Sequence, residues 1–178
     1  MAILPIRTFG DPALRQKAEP VERVTDLHRK LIADMFDTMR EAPGVGLAGP
    51  QVGVLERVFV WETEDRHGAI INPVITERSQ EKVEEEEGCL SLPGIYYPVS
   101  RASQVMVEGL DENGDRVVLE GSDLMARIFQ HEIDHLDGVL FIDHLDGDMR
   151  KEALAKLREQ ALGISLEPLD DVPREELL

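Results

Sequence analysis

The sequence predicts an α+β protein: antiparallel β-sheets packed around a central buried metal-binding helix, with one helix N-terminal to it and another C-terminal. Three observations carry this. Residues 104–110 and 115–120 are strand-like and joined through Asp111-Glu112-Asn113-Gly114, the turn chemistry of a hairpin. Apolar residues recur at helical spacing near both ends of the chain. Between Ser122, a candidate N-cap, and Gly138, a candidate C′ residue, runs a proline-free stretch whose apolar stripe, Leu124 and Ile128, continues into His131 and His135.

In chain order, residues 1–24 mix prolines, charges and short apolar pieces without a sustained period, and read as an irregular segment wrapped on the core. From Thr25, Leu27, Leu31, Met35 and Met39 recur every four residues, predicting an amphipathic helix that ends near Glu41 before Pro43. His28 lies off that stripe and is expected on the surface.

Gly44-Val45-Gly46-Leu47-Ala48-Gly49 matches the dinucleotide-binding glycine pattern, but a helix and a proline precede it and Pro50 follows, where that fingerprint needs a strand before and a helix after. Nucleotide binding is therefore discounted. Two readings stay open: a flexible turn, or small residues that let main chain approach a ligand with Gln51 projecting an amide into the same cleft.

Val54 to Trp61 and Ala69 to Glu77 are β-branched-rich and bracketed by Gly or Pro, so both are predicted strands. His67 falls in a polar turn. Glu87-Gly88-Cys89-Leu90-Ser91-Leu92-Pro93-Gly94 is an apolar-tending segment holding the only thiol. After the metal helix comes a short apolar run, Val139 to Asp143, with His144 in a turn. Residues 148–162 suit a helix with Leu154, Leu157 and Ala161 apolar and Arg150, Lys151, Lys156 and Arg158 basic.

At 178 residues the expectation is one domain, spanning 1–163, followed by an acidic and flexible tail over 164–178. Thirty-six acidic against nineteen basic residues give a net charge of −17, which disfavours general nucleic-acid binding. The acidic run Glu81 to Glu87 reads as a solvated face. No apolar run approaches the roughly 20 residues of a membrane span, and the first residues lack the character of a signal peptide. A single cysteine fits a reducing compartment, so cytoplasm is the expected address.

The chemistry concentrates on Gln130-His131-Glu132-Ile133-Asp134-His135. Residues four apart on a helix have Cβ atoms about 5 to 6 Å apart, so His131 and His135 can share one ion while Glu132 reaches water from a neighbouring flank. The alternative is a pair of satisfied core histidines. A lone cysteine is more often a small buried hydrophobe than a ligand. A catalytic zinc-type site nevertheless uses three protein donors and leaves one position to water, which makes Cys89 the natural third. Asp134 lies away from the histidine face and is expected to anchor the helix, to Arg101 or Arg127.

Gly44 to Gly53, Glu87 to Pro93 and Gln130 to Gly138 together resemble, in order and spacing, the three motifs of the peptide deformylase family; Ile3-Leu4-Pro5-Ile6-Arg7 and Gly10-Asp11-Pro12 extend the likeness over nearly the whole chain. One departure is Gly49, where the family usually has Ala; it adds backbone freedom beside Gln51. The resemblance implies that Cys89, His131 and His135 bind the metal, that Glu132 is the general acid/base, and that Gln51 and the backbone N–H of Leu90 hold an oxyanion. It also implies removal of the formyl group from the N-terminal formylmethionine of new polypeptides. The expected cofactor is one divalent ion, Fe²⁺ in the cell, with Zn²⁺, Ni²⁺ or Co²⁺ in purified protein. Leu124 and Ile128, with Val45 opposite and Gly46 beside it, are expected to line an apolar pocket for the methionine side chain. Nascent chains imply an encounter at the ribosome near its exit tunnel, and two readings of the basic face of 150–158 stay open: a solvated helix, which the overall acidity favours, or a surface that touches the ribosome. Two rival readings are a His-Glu-x-x-His zinc endopeptidase, for which Asp143 and His144 are the only tempting further ligands, and a non-catalytic protein with a closed structural metal site.

Overall fold

A five-stranded antiparallel sheet and a separate two-stranded ribbon enclose one helix from opposite sides. The computed structural model describes residues 2–163, and the tail expected over 164–178 lies outside the described residues. The strands are β1 (Gly46–Ala48), β2 (Val58–Glu62), β3 (His67–Arg78), β4 (Lys82–Cys89), β5 (Leu92–Ala102), β6 (Gln104–Leu110) and β7 (Arg116–Ser122); the helices are α1 (Asp26–Glu41), α2 (Leu124–Leu136) and α3 (Gly147–Ala161). The large sheet has the order β1-β2-β3-β6-β7, and β4 pairs with β5 alone. The α+β architecture of antiparallel sheets about α2, flanked by α1 and α3, is thus the predicted one.

α1 begins after Thr25 as expected, but its buried face is Ile32, Met35 and Met39, while Leu27 is 78% exposed. Each four-residue step turns a stripe about 40° around the helix, so a series begun at Leu27 drifts off the sheet it should meet. His28 is not simply a surface residue either: its Nδ1 accepts the Thr25 backbone N–H at 3.0 Å, capping the helix.

The predicted hairpin is present as β6 and β7. β2 starts later than predicted, at Val58, because Gly53 turns left-handed (φ 80°) to end a 3-10 turn over Gly49–Val52 and the next residues pair irregularly with the N-terminal segment. β4 and β5 were not predicted as strands. The run of glutamates in β4 masks its pattern, and of that run only Glu87 is buried; in β5, Pro93, Gly94 and Pro98 read as breaks.

α2 carries the N-cap at Asp123 rather than Ser122, with φ 51° there. Its C-terminus closes as expected at Gly138 (φ 73°): Gly138 N–H donates to His135 O at 3.1 Å and Val139 N–H to Asp134 O at 2.9 Å, the paired bonds of a Schellman cap. Ala126, Ile128, Phe129 and Leu136 are buried in a cluster shared with Val45, Phe59 and Trp61, each large side chain contributing about 1.5–3 kcal/mol of burial. On the opposite side, polar residues clamp α2 to the ribbon. The Gln130 amide accepts from Ala102 N–H at 3.1 Å and donates to Ala102 O at 2.9 Å, while Arg127 donates to Val99 O and Val83 O, each at 2.9 Å. These bonds fix the register between the helix and the strand pair that carries Cys89.

Candidate active site

Cys89 ends β4, two residues past Glu87, and a bulge between them alters the β4 to β5 pairing. Its Sγ lies 3.3 Å from His135 Nε2, which lies 3.1 Å from His131 Nε2. All three donor atoms fall within 4.8 Å of one another and all three residues are buried. A tetrahedral ion with bonds of about 2.0–2.1 Å to nitrogen and 2.3 Å to sulfur needs donors roughly 3.3 to 3.6 Å apart, close to these separations. The donor chemistry fits as well: a cation turns three crowded lone-pair atoms into one coordination set. Burial pushes the Cys89 thiol far above its ordinary range, an effect enlarged by the Glu132 and Glu87 charges and opposed by the backbone N–H groups of Ser91 and Leu92. Burial, then the neighbouring His131, drives His135 well below the usual histidine value, leaving a neutral imidazole. A buried thiolate there requires a cation beside it.

His131 is oriented by Glu87, whose Oε2 accepts from Nδ1 at 2.7 Å. A carboxylate only accepts, so the hydrogen sits on Nδ1 and the Nε2 lone pair faces Cys89 and His135. Burial by itself would raise Glu87, but the hydrogen bond from His131 Nδ1 and the paired guanidinium of Arg101 hold it well below the usual carboxylate range. Arg101 grips both Glu87 oxygens, Nε to Oε1 at 3.0 Å and Nη2 to Oε2 at 2.6 Å, and Arg127 Nη1 adds a bond to Oε1 at 2.9 Å. Arg101 Nη1 continues to Asp134 at 2.7 Å, so Asp134 anchors the helix through Arg101 and not through Arg127.

Glu132 is fully buried, and neither of its oxygens has a hydrogen-bond partner among the described residues. Burial first, and then the Glu87 charge, push its carboxyl well above its ordinary value. It packs against Gly46, where a Cβ would overlap Glu132 Oε1 and lie 2.9 Å from Cδ. Gly46 thus leaves the space that this carboxylate occupies. Gln51 is fully buried too; its Oε1 accepts from Ala48 N–H at 2.9 Å, which aims Nε2 toward Cys89 Sγ at 3.6 Å and Ser91 Oγ at 3.1 Å. Leu90 occupies the turn between β4 and β5, directly after Cys89. Gly49 has the opposite of added freedom, since a Cβ there would meet Val54 O at 2.7 Å and Glu56 O at 2.9 Å.

A cleft of about 950 Å³ opens near the start of α2, and none of Cys89, His131, Glu132 and His135 lines it. Val45 and Leu124 line it together with the 62–66 turn and Met125. Ile128 is fully buried behind it, in the same apolar cluster as Val45. The residues that an endopeptidase reading requires are elsewhere: Asp143 pairs with Arg15 and accepts Leu140 N–H, and His144 Nε2 meets Asp134 at 2.8 Å. Among the described residues, the cluster has no fourth His, Cys, Asp or Glu donor that would close the site.

Glu87 and Ser91 escaped the sequence reading. For Glu87 a signal existed: two residues before Cys89 on an extended strand is the same face.

A two-histidine helix with a cysteine from a neighbouring ribbon, and an unpaired buried carboxylate alongside, defines a metal-dependent hydrolase. Comparison with known proteins specifies which kind. Residues 3–151 match the family model described as Polypeptide deformylase, and the chain belongs to that family. It is 54% identical over 159 residues to the peptide deformylase of Acidothermus cellulolyticus, covering 89% of this chain and 88% of that protein. It is 48% identical over 151 residues to that of Treponema pallidum, covering 85% and 93%. The peptide deformylase structure from Thermus thermophilus superposes with a TM-score of 0.84 at 49% identity, covering 91% of this chain and 97% of that one. A structure of the Ehrlichia chaffeensis enzyme in complex with actinonin gives 0.86 at 40% identity, covering 90% and 98%. The chain is accordingly a deformylase, and the family is metal-dependent.

Proposed function

We propose that this chain hydrolyses the formyl amide of N-formylmethionyl nascent peptides, releasing formate, with Cys89, His131 and His135 holding one divalent cation. The observation that carries the reading is the convergence of one sulfur and two imidazole nitrogens within 4.8 Å, next to a buried carboxylate that has no hydrogen-bond partner among the described residues. The bound cation would supply Lewis acidity, making water a nucleophile near neutral pH and polarising the formyl carbonyl. Glu132 takes the proton from the attacking water and delivers it to the leaving amine nitrogen as the carbon–nitrogen bond breaks. Gln51 Nε2 and the Leu90 N–H donate to the oxygen on which charge develops, each donor being worth roughly 2.7 to 4 kcal/mol in comparable sites. Glu87 keeps His131 in the tautomer that leaves Nε2 free. Val45, Gly46, Leu124 and Ile128 surround the methionine side chain, a reading supported by the cleft that Val45 and Leu124 line.

Fe²⁺ is the proposed physiological ion, with Zn²⁺, Ni²⁺ or Co²⁺ able to replace it in purified protein; ferrous ion binds more weakly than these, so its occupancy depends on supply. Residues 1–163 are read as one catalytic unit working in the cytoplasm. No helix among the described residues is long and apolar enough to cross a membrane. The ribosome near its exit tunnel is the proposed place of encounter, through Arg150, Lys151, Lys156 and Arg158 on α3. Formate release from formyl-Met-Ala-Ser by anaerobically purified protein, abolished by Glu132→Ala with metal retained, tests the reading. Turnover near the wild-type rate in that variant excludes it.

A further inference from the structure

We infer that Ser91 is a positioning residue that aims the Gln51 amide, and that the N-terminal segment braces the pair from behind. The inference rests on the role proposed for Gln51. An amide side chain can flip, and here the orientation is decided by the Ala48 N–H donating to Oε1, which turns Nε2 to the donor cluster. Nε2 carries two hydrogens in a plane. Ser91 Oγ, fully buried, accepts one at 3.1 Å; with that bond made, the other is directed to the side where Cys89 Sγ lies 3.6 Å away. Without the hydroxyl, the amide plane is held at Oε1 alone and swings more widely about the last side-chain bond, so the second hydrogen is aimed less tightly.

The backbone holds the same two residues in register. Arg7 N–H donates to Gln51 O at 2.6 Å, and two residues later Phe9 N–H donates to Ser91 O at 2.9 Å. One extended stretch thus ties the Gly49–Val52 turn to the β4–β5 turn, two segments forty residues apart in sequence. The segment that reads as mere wrapping in the sequence therefore sets the Gln51 to Ser91 spacing. Ser91 also donates its own N–H to Cys89 Sγ at 3.4 Å, a bond that alanine keeps, so removing the hydroxyl leaves that contact to the sulfur intact.

The test is a double-mutant cycle on the metal-loaded enzyme, with metal content and melting temperature measured alongside kinetics. Ser91→Ala is expected to keep stoichiometric metal and KM within about twofold while kcat falls roughly tenfold, a loss of alignment rather than of binding. In the Gln51→Ala background the same substitution is expected to change kcat no further, because the group it aims is gone. Equal losses from Ser91→Ala in both backgrounds, or a wild-type kcat in Ser91→Ala while Gln51→Ala is impaired, removes Ser91 and leaves Gln51 standing. A wild-type kcat in Gln51→Ala removes the amide from the reaction, and the positioning role falls with it.

Discussion

Gly46→Ala adds one methyl group beside the carboxylate on which proton transfer depends. A Cβ built there lies 2.9 Å from Glu132 Cδ and 3.1 Å from Cγ, and overlaps Oε1. Ordinary van der Waals contact begins near 3.4 Å, so Cδ must retreat by about half an ångström and Oε1 by more. Glu132 is fully buried and cannot swing into solvent. Misplacing a reacting group by about 1 Å can cost on the order of 100-fold in rate, or about 2.7 kcal/mol in barrier. Overpacking adds about 1–3 kcal/mol of lost stability. Formate release should therefore show kcat reduced by about two orders of magnitude, with metal stoichiometry unchanged and the fold cooperative in thermal melts. A folded Gly46→Ala protein turning over at the wild-type rate would refute the claim that this glycine makes room for the base.

Other substitutions probe the supports. Glu87→Ala leaves Arg101 and Arg127 buried without their shared carboxylate, and should cost about 3–5 kcal/mol in denaturant unfolding and weaken metal binding 10- to 100-fold in a chelator titration; unchanged affinity would deny Glu87 its hold on His131. Gly49→Ala restores the residue usual in the family yet pushes a Cβ into the Val54 and Glu56 carbonyls, so a loss of about 1–3 kcal/mol, roughly 2–4 °C of Tm per kcal/mol, is expected by calorimetry. An equal or higher Tm would show that the 54–58 chain yields easily. Joint polar replacement of Val45, Leu124 and Ile128 should raise KM for formyl-Met peptides, and an unchanged KM would take the methionine side chain elsewhere.

How much of this was legible depended on whether a residue's partner was near it in sequence. The α2 stripe was readable because Leu124, Ile128, His131 and His135 repeat with the helix's own period, and the Gly138 cap because a left-handed turn there favours glycine. Cys89 was assigned on the chemistry of three-donor sites rather than on any local pattern, and its approach to the helix depends on Gln130 and Arg127 bonding to β4 and β5, contacts that no periodicity announces. The same holds for Glu87. It ends a run of glutamates that are solvent-facing up to Glu86, and its burial is made tolerable by His131 and by the two arginines supplied from β5 and α2. Gly49 invited a reading of flexibility because composition cannot show a crossing chain; the carbonyls of Val54 and Glu56 reverse it.

The central claim is that one sulfur and two imidazole nitrogens of this chain share a single divalent cation with a position left for water. X-ray absorption on anaerobically purified protein, combined with metal quantification, measures it directly. The account predicts one ion per chain with one sulfur neighbour near 2.3 Å, two histidine nitrogens and at least one exchangeable oxygen, and loss of the sulfur shell in Cys89→Ala. A stoichiometric ion without a sulfur neighbour in the wild-type protein, or with four protein donors and no exchangeable oxygen, would contradict it.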